Sequence, residues 1–172
     1  MAIVGSRRAT NYGRRHAQAI AGQLGLAGMP VVSGLAFGID AAAHEGVLAA
    51  GGESIAVLPT GLDDGSISPR TNIDLAHRIV DCGGALLSEY SDGTPARKEH
   101  YHARNRLIAG LAEHVVVIEA AWPSGSTLTA RLAAEQGKTV WAVPGPIDSS
   151  TSVGTNRLIA DGAGIPRSDP YS

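Results

Sequence analysis

Val115-Val116-Val117-Ile118 constrains the fold more than any other stretch of the chain. Consecutive β-branched residues favour extended backbone, because branching at Cβ crowds a helix and packs well on a pleated surface. The run does not alternate with polar residues, so the strand it forms is buried on both faces. Such a strand belongs inside a parallel sheet with helices above and below.

The rest of the chain repeats that theme. Ala2-Ile3-Val4, Pro30-Val31-Val32, Ser54 to Leu58, Ala85 to Ser88 and Thr139 to Val143 read as further strands. Helical spacing appears between them. Asn11 to Ala27 places Ala17, Ile20, Ala21 and Leu24 on one face, with Asn11 as its cap. A second helix starts at an Asp40 N-cap and ends near Gly51-Gly52; others are predicted at Ile73 to Val80, Arg104 to Ala112, Thr127 to Gln136 and Asn156 to Asp161. Asp63 to Pro69 and Glu89 to Tyr101 read as polar loops. Strands alternating with helices predict an α/β, doubly wound, mostly parallel sheet of Rossmann-like type. One domain, 1–166, is expected to precede a polar tail, 167–172.

At 172 residues, 44% hydrophobic and 17% charged, the chain can bury a substantial core, and general disorder is excluded. Cys82, the single cysteine, cannot form an intrachain disulfide. Neither a signal-peptide pattern nor a membrane-spanning apolar run is present, so the expected location is the cytoplasm and no membrane partner is expected. Net charge is −2, so binding to nucleic acid would need a local basic patch.

In doubly wound sheets, ligands bind beyond the carboxyl ends of the strands. Gly5-Ser6, Ser33-Gly34, Ser124-Gly125-Ser126 and Gly145 all fall at such ends. The stretch Pro30 to Ala50 holds Ser33-Gly34 and Gly38-Ile39-Asp40, a strand-to-helix turn read as a backbone cradle for phosphate. It is not G-x-G-x-x-G, and Leu58-Pro59 stands where a ribose-binding acid would close the next strand. No dinucleotide, metal or other cofactor is therefore expected.

The basic patch lies in Arg97 to Arg106, where ten residues hold four Arg/Lys, two His and Tyr101. A charge run is usually a solvated face. Here an aromatic sits among the cations, the combination that neutralises phosphates and stacks bases of a single strand. Arg104-Asn105-Arg106 also opens a predicted helix, where cations sit badly against the positive dipole end unless an anion is near. Arg7 and Arg8 leave the first strand on the same rim.

Hydrolytic signatures are poor. G-x-S-x-G is absent, and neither the histidines nor Cys82 has a metal-ligand set. Asp40, Glu89, Glu119 and Glu135 read as caps or surface carboxylates, Trp122 and Trp141 as core or rim packing.

With these residues in view, the chain resembles the DNA-processing protein A (DprA/Smf) family. The matching motifs are Val4-Gly5-Ser6-Arg7, Ser33 to Ala36 with Gly38-Ile39-Asp40, Leu87 to Tyr90, Arg104 to Gly110, Ser124 to Ser126 with Thr129-Ala130, Glu135 to Lys138, and Gly154 to Ile159. They run in the family's order over nearly the whole chain. The resemblance implies a Rossmann-like domain that binds single-stranded DNA, and a homodimer that protects the strand and delivers it to RecA recombinase in natural transformation. It implies DNA-binding roles for Arg7, Gly34, Lys98, Asn105 and Arg106, with no catalytic residue; the strand-end turns and the basic run add Ser33, Tyr101, Arg104, Gly125 and Ser126 to the expected DNA-binding set. Tyr101 stands where the family usually has a base-stacking Phe.

Some positions depart from the family. Phe37 replaces a usual Arg, His102-Ala103 a usual Pro-x, and Thr60 a frequent Cys. The family's N-terminal helical domain and C-terminal winged-helix-like module have no counterpart in these residues.

Two alternatives share the fold. A nucleotide phosphoribohydrolase would need a carboxylate directly after the Pro123-to-Thr127 turn, and none comes before Glu135, over two helical turns on. A sensor for free nucleotides would use the same cradle without regard to strand length.

Overall fold

A computed structural model of the chain describes residues 1–166; the predicted polar tail, 167–172, lies outside the described residues. The strands are β1 (Ala2–Gly5), β2 (Val31–Ser33), β3 (Ser54–Val57), β4 (Ala85–Leu87), β5 (His114–Ile118) and β6 (Thr139–Ala142). The helices are α1 (Asn11–Leu26), α2 (Ile39–Ala49), α3 (Ile73–Asp81), α4 (Lys98–Gly110), α5 (Gly125–Glu135) and α6 (Val153–Ala160). All pairings are parallel, in the order β4-β3-β2-β1-β5-β6. The order reverses between β1 and β5, which places the crevice expected to take ligands at their carboxyl ends.

The β-branched run behaves as its composition requires. Val115 to Ile118 are each no more than 2% exposed. Val116 and Ile118 join Ile3 and Val31 under α1 and α2, while Val115 and Val117 join Ala2 and Val4 under α4 and α5. Each fully buried Val or Ile contributes about 1.5–3 kcal/mol relative to leaving it exposed. A third cluster, around Leu58, Leu75 and Ile79, seats α3 beside α2.

Besides earlier starts for α5 at Gly125 and α6 at Val153, three differences from the sequence reading bear on the site. Thr10, not Asn11, caps α1, its hydroxyl accepting from the Gly13 amide. Gly38, not Asp40, is the N-cap of α2, at φ 76°, and Asp40 lies in the helix's first turn. The largest difference is α4, which starts at Lys98, so part of the predicted loop and the whole Arg104-to-Arg106 run lie inside one helix. Its start is hidden because its buried face carries Arg104 and Asn105 before Ile108 and Ala109, so no apolar stripe marks the first turns. Arg104 and Arg106 therefore do not sit at the positive end of a helix, whereas Arg97 and Lys98 do. Among the described residues, no helix is long and apolar enough to cross a membrane.

Candidate nucleic-acid interface

The loop after β1 is fixed from below by Glu119. This residue is 5% exposed, not a surface carboxylate, and its carboxylate accepts from the Thr10 amide (2.8 Å) and the Thr10 hydroxyl. Its own backbone oxygen accepts from the Ser6 amide at 2.7 Å. The ends of β1 and β5 are thereby tied together, and Arg7 and Arg8 project from a held segment into the crevice.

The β2–α2 turn is organised quite differently. The Ser33 hydroxyl, fully buried, donates to the Ile3 carbonyl at 2.6 Å. The amides of Gly34 and Ala36 donate to one carboxylate oxygen of Asp40, at 3.2 and 3.4 Å. The Leu35 amide donates to His44 Nε2 (3.3 Å), whose Nδ1 lies 2.6 Å from the Ser54 hydroxyl. That hydroxyl donates to the Val31 carbonyl (3.3 Å), so His44 Nδ1 carries the proton and the ring is neutral. Burial, reinforced by the Arg104 charge, lowers the His44 pKa to about 3. The cradle exists, but its occupant is the protein's own carboxylate.

Arg104 completes this layer. Its guanidinium donates through Nη1 to the Gly34 carbonyl (2.7 Å) and to the Val57 carbonyl. Gly34 is glycine for this reason: a Cβ there would fall on the Arg104 guanidinium. Burial raises the Asp40 pKa against the charges of Arg104 and Arg7 and the two amide bonds, and burial lowers that of Arg104. Arg104 Nε is buried without a hydrogen-bond partner.

Above this floor opens a cleft of about 460 Å³. Arg7, Lys98, Tyr101, Arg104, Asn105, Gly125 and Ser126 are brought together on its walls. The Arg7 guanidinium lies 4.6 Å from the centre of the Tyr101 ring, and that of Arg104 lies 5.9 Å away. Asn105 donates to the Gly125 carbonyl at 3.2 Å, joining α4 to the start of α5. Ser124 caps α5 reciprocally with Thr127. The amides of Gly125 and Ser126, first in that helix, have no acceptor among the described residues.

The other predicted site residues are placed elsewhere. Ser33 lies in the buried layer and Gly34 beneath Arg104. Arg106 faces away and pairs with the Glu89 carboxylate, both half exposed. The cleft adds residues the sequence reading did not select: Ser6, Asp40, His102 and Thr129. His102 and Thr129 each stand one helical turn from a selected residue on α4 or α5, a signal available once both helices are placed. Among the described residues, no group of His, Cys, Asp or Glu is arranged to hold a metal ion.

Residues 1–169 match the family model of DNA recombination-mediator protein A. The chain belongs to that family.

Among curated members, Protein Smf of Escherichia coli K12 is 45% identical over 95% of this chain and 43% of its own length. DNA processing protein DprA of Streptococcus pneumoniae is 42% identical over 95% of this chain and 56% of its own. The chain thus spans about half the length of the curated DprA/Smf relatives it matches. The solved structure of the Streptococcus pneumoniae protein superposes with a TM-score of 0.86 at 40% identity, covering 96% of this chain and 57% of that one. DNA processing protein A of Helicobacter pylori, whose structure was described for its single-stranded DNA binding mode, gives 0.85 at 35% identity, over 95% and 72%. A molybdenum cofactor binding protein of Rippkaea orientalis (17% identity, TM-score 0.67, over 96% and 87%) shares the fold alone. The six-stranded parallel Rossmann-like sheet is therefore the DprA fold.

Proposed function

We propose that the cleft binds single-stranded DNA by its phosphates, with Tyr101 as a base-stacking group. The observation that carries this reading is the convergence of Arg7, Lys98, Arg104 and the Tyr101 ring on one cleft. Arg104 itself is 5% exposed, its Nε is buried without a hydrogen-bond partner, and it makes no ion pair among the described residues. Asp40 offsets part of that charge, and Arg7 and Lys98, both exposed and without an ion pair among the described residues, supply the cations an anion can reach. Arg7, Lys98 and the first amides of α5 line the same space, and converging N–H groups and cations suit a phosphodiester.

An enzymatic reading is less well supported. Asp40 is the carboxylate on the cleft wall, and one of its oxygens is engaged by backbone amides. A group held that way serves the fold rather than glycosidic chemistry. Membership of the DprA/Smf family supports the wider role: a cytoplasmic homodimer that protects the strand and passes it to RecA recombinase in natural transformation.

The deciding experiment is fluorescence anisotropy with oligo-dT, duplex of equal length and a mononucleotide, each at two salt concentrations. Tight, salt-dependent binding of the single strand with weak mononucleotide binding is expected. Saturable mononucleotide binding equal to that of the oligomer would replace this reading with a nucleotide sensor. Light scattering on the purified protein tests the dimer, and strand-exchange assays with RecA test delivery.

A further inference from the structure

A second and larger groove, about 1040 Å³, lies between α5, α6 and β6 and meets the cleft at Lys98, His102 and Gly125, which line both. Its lining includes Trp122, a residue left 40% exposed. The Arg157 guanidinium sits 4.4 Å from the centre of that ring. Arg131 and Lys138 also line the groove, against one lining carboxylate, Asp161. Arg131 is only loosely paired with Glu135, at 3.4 Å with both side chains exposed, and Lys138 has no ion pair among the described residues.

Arg157 covers the indole from one side, and the partly exposed ring offers the rest of its surface to a flat partner. Cations beside an aromatic, in a trough open at one end to a phosphate-binding cleft, match the needs of a polyanion with flat bases. From these features we infer that a single strand held in the cleft runs on past Gly125 into this groove, where a base stacks on Trp122 and phosphates meet Arg131 and Lys138. This rests on the reading of the cleft as a single-strand site and extends it: the footprint is two adjoining segments, not one pocket. Charge complementarity chooses the occupant, since an apolar peptide would leave these cations unanswered and an acidic one would not use the ring.

Strand length separates the two segments. An oligo-dT of about five nucleotides fills the cleft alone, whereas one of about fifteen reaches the groove. Trp122→Ala should weaken the longer strand by roughly tenfold, corresponding to one stacked base, and leave the shorter unchanged. Trp122→Phe should recover most of the loss, which separates stacking from a disturbed fold. The double variant R131Q/K138Q should flatten the salt dependence for the longer strand only. In the unmodified protein, the longer strand should quench tryptophan emission more than the shorter one.

Equal effects of Trp122→Ala on both lengths, or none on either while Lys98→Ala still weakens both, would overturn the groove and leave the cleft standing. Failure of the unmodified protein to bind either strand would remove both readings.

Discussion

The β2–α2 and β5–α5 turns are both strand-to-helix junctions rich in Gly and Ser at the same edge of the sheet, yet they have opposite roles. In the first, the amides of Gly34 and Ala36 are taken by Asp40 and the carbonyl of Gly34 by Arg104. In the second, Ser124 and Thr127 satisfy each other, and the Gly125 and Ser126 amides remain at the cleft. The first turn is closed by α2 and α4; the second is open to a ligand. Composition is therefore a poor guide to which turn binds an anion. What matters is whether a buried side chain has already filled the cradle.

The sharpest way to break this contrast is Gly34→Ala. The new Cβ collides with a guanidinium pinned by two carbonyls, so stability should fall by about 3 kcal/mol or the fold be lost, measured by urea denaturation. A loss within about 0.5 kcal/mol would mean that Arg104 is not held as described.

The same closed turn should respond to acid. Unfolded His44 takes a proton near 6.5, whereas folded His44 resists until about 3. Its contribution is fully present above 6.5 and is lost as pH falls through that window, on the order of a few kcal/mol. Asp40 adds an opposing slope, because its raised pKa makes the native state bind its proton more readily. Comparing unmodified protein with His44→Gln cancels the Asp40 slope; the variant should lose less stability between about pH 7 and pH 4. Parallel curves would refute the buried neutral imidazole.

On the open side, Tyr101→Ala should cost about 1–3 kcal/mol in oligo-dT binding, while Tyr101→Phe should change little, its hydroxyl making only a 3.4 Å contact to Ser68. Equal losses would point to the hydroxyl and away from stacking. Arg7→Ala and Lys98→Ala should each reduce the salt slope of binding by roughly one. Unchanged slopes would remove both from the phosphate path.

Gly125→Ala has the smallest expected effect on stability, within about 0.5 kcal/mol, because a Cβ there meets nothing nearer than Asn105 Nδ2 at 3.9 Å. It should nonetheless weaken strand binding where backbone and phosphate approach closely. A large loss of stability would show that the two turns are alike after all.

How much was legible in the chain differs between fold and site. Apolar runs and their spacing supplied every strand and most helices, because burial on two faces leaves an unbroken β-branched run and burial on one face leaves a 3.6-residue period. The same method missed the first turns of α4, whose buried face is polar. Arg7, Lys98 and Tyr101 were visible as cations and an aromatic in a local cluster. The internal burial of Asp40 and Arg104 left no trace, since a carboxylate beside a glycine turn looks the same whether it caps a helix, meets solvent or fills a cradle.

By itself the sequence determined the layered α/β sheet, the family and the set of cationic residues available for a site. These depend on local patterns and residue types, which a string of letters carries. Only the tertiary structure decided which cations face the cleft, which turn is closed, and that Trp122 stands beside a second groove. Those outcomes follow from contacts between residues far apart in the chain, such as Arg104 with Gly34 and Val57. A long-range hydrogen bond closes a turn to outside ligands without changing anything nearby in sequence.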